Sequence, residues 1–571
     1  MKSWIKGVDY PEWMTPEALV TLSKGYLVDQ ETPRDMYVRV ASSAAKYLGE
    51  PEMFNQFFDI MWKGWLCPAS PVLSNTGTDR GLNISCFGVS VPDSIDGIYS
   101  SAHELAVMTK SGGGVGMNLS NIRGRGEPIR GGKNGYSEGV VPWAKIYDSA
   151  ILATSQGGVR KGAASFNLHA THKDAKEFLR IRRPQGDINR QCLNSHHCML
   201  FTDDFMNQML QGNEEYREIW KEVLKARLET GEPYMMFIDN VNNNNPESYK
   251  KHNLKVDMTN ICSEIALYTD DDHSFICCLS SMNLMLYDEW CNTDAVAVSI
   301  KFLNGILNEF IEKAFYIKGL ERAVRSAVKG RAIGLGVLGW HSLLQSKMLP
   351  MNSFQAKLLN KAIFKKMREQ ADQATRELAE KYGEPEWCKG TGTFNSHLLA
   401  VAPTRTNSII AGKHSHGIEP IISNAYTDRT AKGVFLTVNP HLKKLLESKG
   451  KDTHEVWQSI VGNEGSVQHL DFLSTEEKEV FLTAYEISQF TLIEQAADRQ
   501  VYIDQSQSLN LFFPANVSPK LFHKLHLEAW KKGIKTLYYC RSSSVLKADV
   551  ASRSHQDLQA AENKECSWCE A

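Results

Sequence analysis

Two cysteines close the chain, in Cys566-Ser567-Trp568-Cys569-Glu570-Ala571. A chain end is poorly ordered unless something ties it down. A Cys-x-x-Cys pair there suits thiol–disulfide exchange, entering a pocket, taking up a disulfide and leaving to be reduced again. The alternative is half of a zinc site whose other two ligands come from elsewhere. A second group lies in Asn260-Ile261-Cys262-Ser263-Glu264. On extended backbone its first, third and fifth residues share one face. That would align an amide that donates and accepts, a sulfur fit for nucleophilic or radical chemistry and a carboxylate base. The same spacing describes the polar face of an ordinary strand, with Cys262 as a small apolar residue.

Further candidates are weaker one by one. Cys86 in Ser85-Cys86-Phe87-Gly88-Val89 and Cys277 in Ile276-Cys277-Cys278-Leu279-Ser280 sit in runs that read as buried strands, where unrelated core cysteines are common. Tyr538 and Tyr539 are adjacent; on a strand they face opposite ways and usually pack, but phenols can also pass an electron and a proton in steps. Pro403-Thr404-Arg405-Thr406-Asn407-Ser408 precedes an apolar run and reads as a helix cap that could attract phosphate. The Gly-rich stretches at 112–116, 124–132 and 157–162 read as turns that let a ligand approach the backbone. None of them matches a P-loop or a dinucleotide fingerprint, which argues against an ordinary kinase or dehydrogenase.

The elements that must position these residues follow from periodicity. Residues 1–80 read as helical, with Thr15 as N-cap of a first helix and a second helical run over about 34–65. From 81 to 545, apolar runs (83–91, 197–202, 234–238, 274–285) alternate with helical stretches (99–110, 203–229, 300–318, 354–382), the pattern of parallel strands with crossover helices. Residues 441–500 read as charged helices, 509–514 and 535–539 as strands, and the run Asn242 to Asn245 as a polar loop. Residues 546–571 are polar and read as a flexible tail.

Composition bounds the rest. The 571 residues carry 64 Lys+Arg against 66 Asp+Glu, a net charge of −2, so nothing predicts non-specific nucleic-acid or membrane binding. No apolar run approaches the roughly 18 residues of a membrane span, and the first residues lack a signal-peptide core. Twelve cysteines are too sparse for a secreted disulfide scaffold, so a reducing cytoplasm is expected, with any cysteine pair catalytic or metal-binding.

Taken together and in order, these motifs resemble the large, catalytic subunit of class I ribonucleotide reductase, over roughly residue 15 to the end. The anchors are Ser85-Cys86, the loop from Arg123 to Gly132, Gly157-Gly158-Val159-Arg160, Asn260-x-Cys262-x-Glu264, Cys277-x-Leu279-Ser280, Gly417-Ile418-Glu419-Pro420, Leu537-Tyr538-Tyr539 and the terminal cysteine pair. The resemblance implies an α/β fold, a ten-stranded barrel with a central finger loop, after a helical N-terminal region and before a flexible tail. Cys262 would carry a thiyl radical, Glu264 would take the 3′-hydroxyl proton and Asn260 would bind the sugar. Cys86 and Cys277 would supply two electrons and end as a disulfide. Cys566 and Cys569 would reduce it, recharged by thioredoxin or glutaredoxin. Tyr538 and Tyr539 would oxidise Cys262 from a radical-generating small subunit that holds the metal cofactor. No metal or tightly bound cofactor is expected on this chain. A ribonucleoside diphosphate would lie on Ser70, Ser85, Gly114, Pro403, Thr404, Arg405, Thr406 and Asn407. A dNTP or ATP effector, with Mg2+, would bind at a homodimer interface through Asp93, Ser94, Ile95 and Arg123, and Arg160 would reach from the loop at 157–164 towards the substrate base.

The chain departs from the family pattern in places. Many relatives begin with an extra ATP-binding domain of about 90 residues; here no such domain fits, so specificity control without a dATP off-switch is expected. Cys278 follows Cys277, Lys161 replaces a common glycine, and Arg405 is unusual in its loop. A cobalamin-dependent reductase shares most of these motifs but not the tyrosine pair. A regulatory protein of this fold that has lost catalysis would lack one of the catalytic cysteines, and all are present.

Overall fold

A computed structural model describes residues 9–542 except 111, 155–161, 185, 431–432 and 515. Arg160, Lys161, Cys566 and Cys569 therefore lie outside the described residues.

The first part is helical because its apolar residues recur at helical spacing behind good caps. Thr15 accepts from the Ala18 amide at the start of helix Pro16–Ser23. Thr32 and Asp35 form a capping box on helix Pro33–Leu48, whose Met36, Tyr37, Val40, Ala41, Ala44 and Leu48 are buried. Helix Phe54–Trp62 follows.

The described residues then form thirteen strands: β1 (Leu66–Pro68), β2 (Cys86–Ser90), β3 (Gly114–Asn118), β4 (Ala163–His169), β5 (His196–Phe201), β6 (Tyr234–Phe237), β7 (Phe275–Asn283), β8 (Ile333–Leu338), β9 (Ala425–Thr430), β10 (Gly433–Val438), β11 (Leu511–Phe513), β12 (Thr536–Leu537) and β13 (Cys540–Ser542). Strands β2 to β6 pair in sequence order and parallel. Parallel neighbours need crossovers, which helices Ile95–Lys110, Val140–Thr154 and Glu214–Thr230 help to supply. β12 pairs antiparallel with β6. At the other edge β7 pairs antiparallel with β2 and parallel with β8, and β1 caps it.

The sheet curls and continues beyond β8 through parallel bridges, Leu335 to Leu399 and Val401 to Gln507. The Tyr538 amide donates to the Leu509 carbonyl at 2.9 Å, and Thr536 Oγ1 lies 3.2 Å from the Gln507 carbonyl oxygen. Eight strands, β2 to β8 and β12, and two bridged segments near 399–401 and 505–508 thus make ten staves, the expected barrel. The hairpin β9–β10 and helices Pro440–Ser448, His454–Gly462 and Thr475–Val480 hold a smaller core of Leu442, Leu446, Trp457, Ile460, Val467 and Phe481. No helix of the described residues is long and apolar enough to cross a membrane.

Three local readings need correction. Gly112 to Gly116 is not simply a turn, because Gly114 to Asn118 forms the central strand β3. A Cβ on Gly114 would come 2.7 Å from Ile261 Cγ2, and one on Gly116 would come 2.3 Å from the Thr259 carbonyl oxygen. The glycines are there because another backbone passes against the strand, not because the chain turns. Likewise β8 carries Gly334 and Gly336, which hid its strand character. Asn242 and Asn243 end helix Ile238–Asn243 instead of lying in a loop, and the Asn242 amide holds the Val256 carbonyl and amide.

Replacing Gly116 with alanine should cost about 1–3 kcal/mol through overpacking against residue 259. Thermal or urea unfolding of the Gly116→Ala chain checks this, and an unchanged midpoint would contradict the close approach.

Candidate active site

Inside the barrel runs an irregular segment, 255–269, with no strand or helix. Its residues 258–267 are all buried. Buried backbone without a ladder must find other partners, and the staves supply them from both sides. Asn118 and Asn167 donate side-chain amides to the Asp257 and Thr259 carbonyls, both at 3.2 Å. Ser508 Oγ donates to the Cys262 carbonyl at 2.7 Å, Thr536 Oγ1 to the Ser263 carbonyl at 2.7 Å, and the Ser506 amide to the Glu264 carbonyl at 2.9 Å.

This corrects the strand reading of Asn260 to Glu264. The segment folds back on itself: Ser263 N donates to the Asn260 carbonyl at 3.2 Å, Ile265 N to Asn260 Oδ1 at 3.0 Å, and Ser263 takes a left-handed φ of +68°. The turn, rather than period-two alternation, brings the three polar residues together.

Two sulfurs from the wall complete the cluster. Cys86 on β2 and Cys277 on β7 are direct register partners. Directly opposed antiparallel residues have Cα atoms about 4.5–5.5 Å apart, within the span a disulfide bridges. Cys278 pairs with Ile333 across β8 and faces the other way. Asn260 Nδ2 lies 3.5 Å from Cys86 Sγ, and Cys86 Sγ lies 3.8 Å from Glu264 Oε1 and 3.7 Å from Ser85 Oγ. Gln505 Nε2 donates towards Cys277 Sγ at 3.5 Å. Burial pushes the Cys277 thiol well up, so it stays protonated. The Glu264 carboxyl is pushed up to about 7 by burial, with Asn260, Ser508 and Cys86 pulling it back down. The Cys262 sulfur is in disulfide form in the structure; hydrogen-atom chemistry would need it as a thiol.

Tyr538 reaches the same sulfur, with its hydroxyl 3.8 Å from Cys262 Sγ. Here too the strand reading is corrected. Tyr538 and Tyr539 fall between β12 and β13, and their ring centroids are 4.3 Å apart at 54° instead of on opposite faces.

The other predicted residues fall into two places. Ser70 opens helix Ser70–Asn75, and its hydroxyl lies 3.4 Å from Asn407 Oδ1. Asn407 Nδ2 donates to the Pro68 carbonyl at 3.1 Å. Gly114 N donates to the Ser85 carbonyl at 2.7 Å. Pro403 and Thr404 lead into helix Arg405–Ile410, so Arg405, Thr406 and Asn407 lie within it and only Thr404 is at its N-cap. Thr404 is left-handed and makes no side-chain cap; its hydroxyl accepts from Gly417 N at 2.7 Å. At the protein surface, Asp93 and Ser94 precede helix Ile95–Lys110 and Arg123 pairs with Asp93 at 2.8 Å.

The family model described as "Ribonucleotide reductase, all-alpha domain" matches residues 13–81, and the one described as "Ribonucleotide reductase, barrel domain" matches 84–216, 212–391 and 385–540. The chain belongs to the ribonucleotide reductase family. It is 34% identical to the ribonucleoside-diphosphate reductase large subunit of Invertebrate iridescent virus 3, over 95% of this chain and 96% of that protein. It is 30% identical to the corresponding large subunit of Caenorhabditis elegans, over 92% of this chain and 76% of that one. The solved alpha subunit of the class Id ribonucleotide reductase of Actinobacillus ureae superposes with a TM-score of 0.87 at 39% identity, covering 94% of this chain and 99% of that one.

Several residues that hold this ribonucleotide reductase site were not singled out in the sequence: Asn118, Asn167, Gln505, Ser506, Ser508 and Thr536. The one available signal was Gln505-Ser506-Gln507-Ser508, four polar residues just before an apolar strand and all buried. Changing Ser508 to alanine should leave the Cys262 carbonyl unsatisfied, at about 1–3 kcal/mol. It should also move Glu264 titration further up, because the lost hydrogen bond favours the charged form. Thermal unfolding and infrared titration of the buried carboxyl check both effects.

Proposed function

We propose that this chain is the catalytic subunit that reduces ribonucleoside diphosphates to 2′-deoxyribonucleotides through a thiyl radical on Cys262. The observation that carries the reading is the buried convergence of Cys262, Cys86, Glu264, Asn260 and the Tyr538 phenol, with Cys277 opposite Cys86 in the sheet. A 2′-hydroxyl is a poor leaving group, so the neighbouring carbon must first become a radical. That needs a site closed to water.

The reduced Cys262 loses its hydrogen atom to an oxidised Tyr538, and the resulting sulfur radical takes the hydrogen from C3′. Glu264, ionised, accepts the 3′-hydroxyl proton while Asn260 holds the sugar. The 2′-hydroxyl leaves as water with a proton from Cys86 or Cys277. The second thiol gives its hydrogen to C2′, the two sulfurs deliver two electrons in all and join as a disulfide, and Glu264 returns its proton to the 3′-oxygen. Cys262 then returns its hydrogen to C3′. Cys566 and Cys569, outside the described residues, would reduce the disulfide by exchange and be restored by thioredoxin or glutaredoxin. The balance is one ribonucleotide and two thiols to one deoxyribonucleotide, one water and one disulfide.

The oxidising equivalent would come from a small subunit carrying the metal or radical cofactor and reach Cys262 through Tyr539 and Tyr538. The 3.8 Å contact of Tyr538 with the Cys262 sulfur supports this route over a cobalamin-dependent one. The substrate diphosphate would lie on Thr404 to Asn407 with Ser70, Ser85 and Gly114 around it. An effector nucleotide with Mg2+ would bind at a homodimer interface near Asp93, Ser94, Ile95 and Arg123, coupled to the substrate base through Arg160. The division of the chain would be a helical region at 1–80, a catalytic barrel at 81–545 and a redox tail at 546–571. The working compartment would be the cytoplasm, that of the host if the chain is viral.

Turnover of a nucleoside diphosphate with a radical-generating small subunit and each effector in turn tests the reading. Cys277→Ser should abolish multiple turnover and Cys278→Ser should leave it largely intact; equal losses would contradict the pairing with Cys86. Tyr538→Phe should abolish turnover, whereas full activity with adenosylcobalamin alone would favour the rival class. Because the Glu264 carboxyl lies at about 7 and works as its anion, kcat should rise with pH through about 7, and Glu264→Gln should remove both the rise and the activity.

A further inference from the structure

Gln505 is completely buried, and its side-chain amide is only half matched. Nε2 donates to the Ile333 carbonyl, at the start of β8, at 2.9 Å. An amide oxygen in that place would repel the carbonyl, so this contact fixes which end of the amide is nitrogen. Nε2 carries two N–H bonds, and its second acceptor is Cys277 Sγ at 3.5 Å. Oε1 accepts no hydrogen bond among the described residues. An unmatched buried acceptor costs stability, and the barrel carries that cost at a side chain touching one of its two wall sulfurs.

The two sulfurs stand in unequal surroundings. Cys86 Sγ has the Asn260 amide at 3.5 Å, but also the Glu264 carboxyl at 3.8 Å, whose charge opposes a second one on that sulfur. Cys277 Sγ has the Gln505 N–H without a carboxylate in contact. Burial pushes the Cys277 thiol well up, with Cys86, Cys278 and Glu264 adding to the rise, while the Gln505 amide pulls it back. A sulfur whose thiol has a raised pKa leaves slowly in disulfide exchange. A donor already in place where the charge develops offsets that.

We propose that Gln505 is a catalytic residue of the re-reduction half of the cycle, donating its second N–H to Cys277 Sγ so that Cys277, and not Cys86, leaves when the disulfide opens. The inference rests on the reductase reading and on the Cys86–Cys277 pairing. An incoming thiolate forms a bond to Cys86 Sγ. The bond between the two wall sulfurs breaks, and its electron pair passes to Cys277 Sγ, where the Gln505 N–H meets it. The proton shed by the incoming thiol then neutralises Cys277. The second thiol of the same reductant displaces the first from Cys86 and passes its own proton there. Both wall sulfurs end as thiols and the reductant as a disulfide. Gln505 keeps its protons throughout.

The test uses the full chain with its Cys86–Cys277 disulfide, formed by exhaustive turnover with small subunit, substrate and effector and no external reductant. 2-Mercaptoethanol then opens the disulfide while iodoacetamide traps the sulfur released, and peptide mapping locates both labels. In the native chain the mercaptoethanol adduct should sit on Cys86 and the alkyl group on Cys277. The reverse assignment, or an even mixture, overturns the inference, and that outcome is read without any variant having to fold. Gln505→Met keeps the length and loses the donor. It should slow reduction of the disulfide by dithiothreitol about tenfold or more and spread the adduct over both cysteines. Gln505→Glu should be reduced ever more slowly as its new carboxyl ionises, whereas the native rate rises with pH as the attacking thiol ionises. If both variants lose thermal stability but keep the native reduction rate, pH profile and adduct position, Gln505 serves only the Ile333 carbonyl and the inference is overturned. If instead the native chain turns over no ribonucleotide with any small subunit, the failure lies with the reductase reading.

Discussion

Everything at the centre of this molecule depends on keeping a turn of polar backbone dry. The segment 255–269 threads a barrel whose walls would ordinarily be filled with apolar side chains, and an orphaned buried carbonyl costs about 1–3 kcal/mol. The barrel meets that demand with side chains: asparagines on β3 and β4 from one half, and serine and threonine hydroxyls at 506–508 and 536 from the other. The same bonds fix where the Cys262 sulfur stands relative to both walls. Positioning the reactive atom and satisfying the loop are one act, so a change that loosens either loosens both.

Dryness also decides what can travel through the site. Burial raises the carboxyl of Glu264, the thiol of Cys277 and the phenol of Tyr538. An electron leaving one of these groups alone would strand a charge where nothing solvates it. Neutral hydrogen atoms cross such a medium without that cost, and phenols and thiols within 4 Å of one another are the side chains suited to carry them. Charged groups stand at the outer end of the phenol pair, where Arg541 lies 5.1 Å above the Tyr539 ring and His196, 2.6 Å from the buried Glu232 carboxyl, borders its edge. The polarity of the surroundings thus rises along the route from Cys262 outwards.

Sequence patterning disclosed the helical N-terminal region, the alternation that builds the parallel half of the barrel and, once ordered along the chain, the cysteines and tyrosines. It missed what tertiary contact imposes. β3 and β8 carry glycines because a neighbouring backbone runs against them, and glycine taken alone signals a turn. Asn260, Cys262 and Glu264 converge through a left-handed residue at Ser263, which period-two reasoning cannot anticipate. Thr404 to Asn407 looked like a cap because hydroxyls before an apolar run commonly are one; the fold engages the Thr404 hydroxyl with Gly417 instead. His196 and His197 are adjacent but lie far along the chain from Glu232 and Tyr539, and only the fold brings Glu232 against both rings and Tyr539 against His196.

The glycine at 334 bears on the sulfur that the proposed cycle would oxidise and reduce. A methyl group at that position would sit 3.1 Å from the Cys277 sulfur and 2.5 Å from a Leu279 methyl, closer than carbon atoms pack. The Cys277 and Leu279 side chains thus already fill the space that a side chain at 334 would need. On its β8 side the sulfur meets bare backbone, a surface with no side chain to react with it, so the only sulfur set directly opposite it across the sheet is that of Cys86.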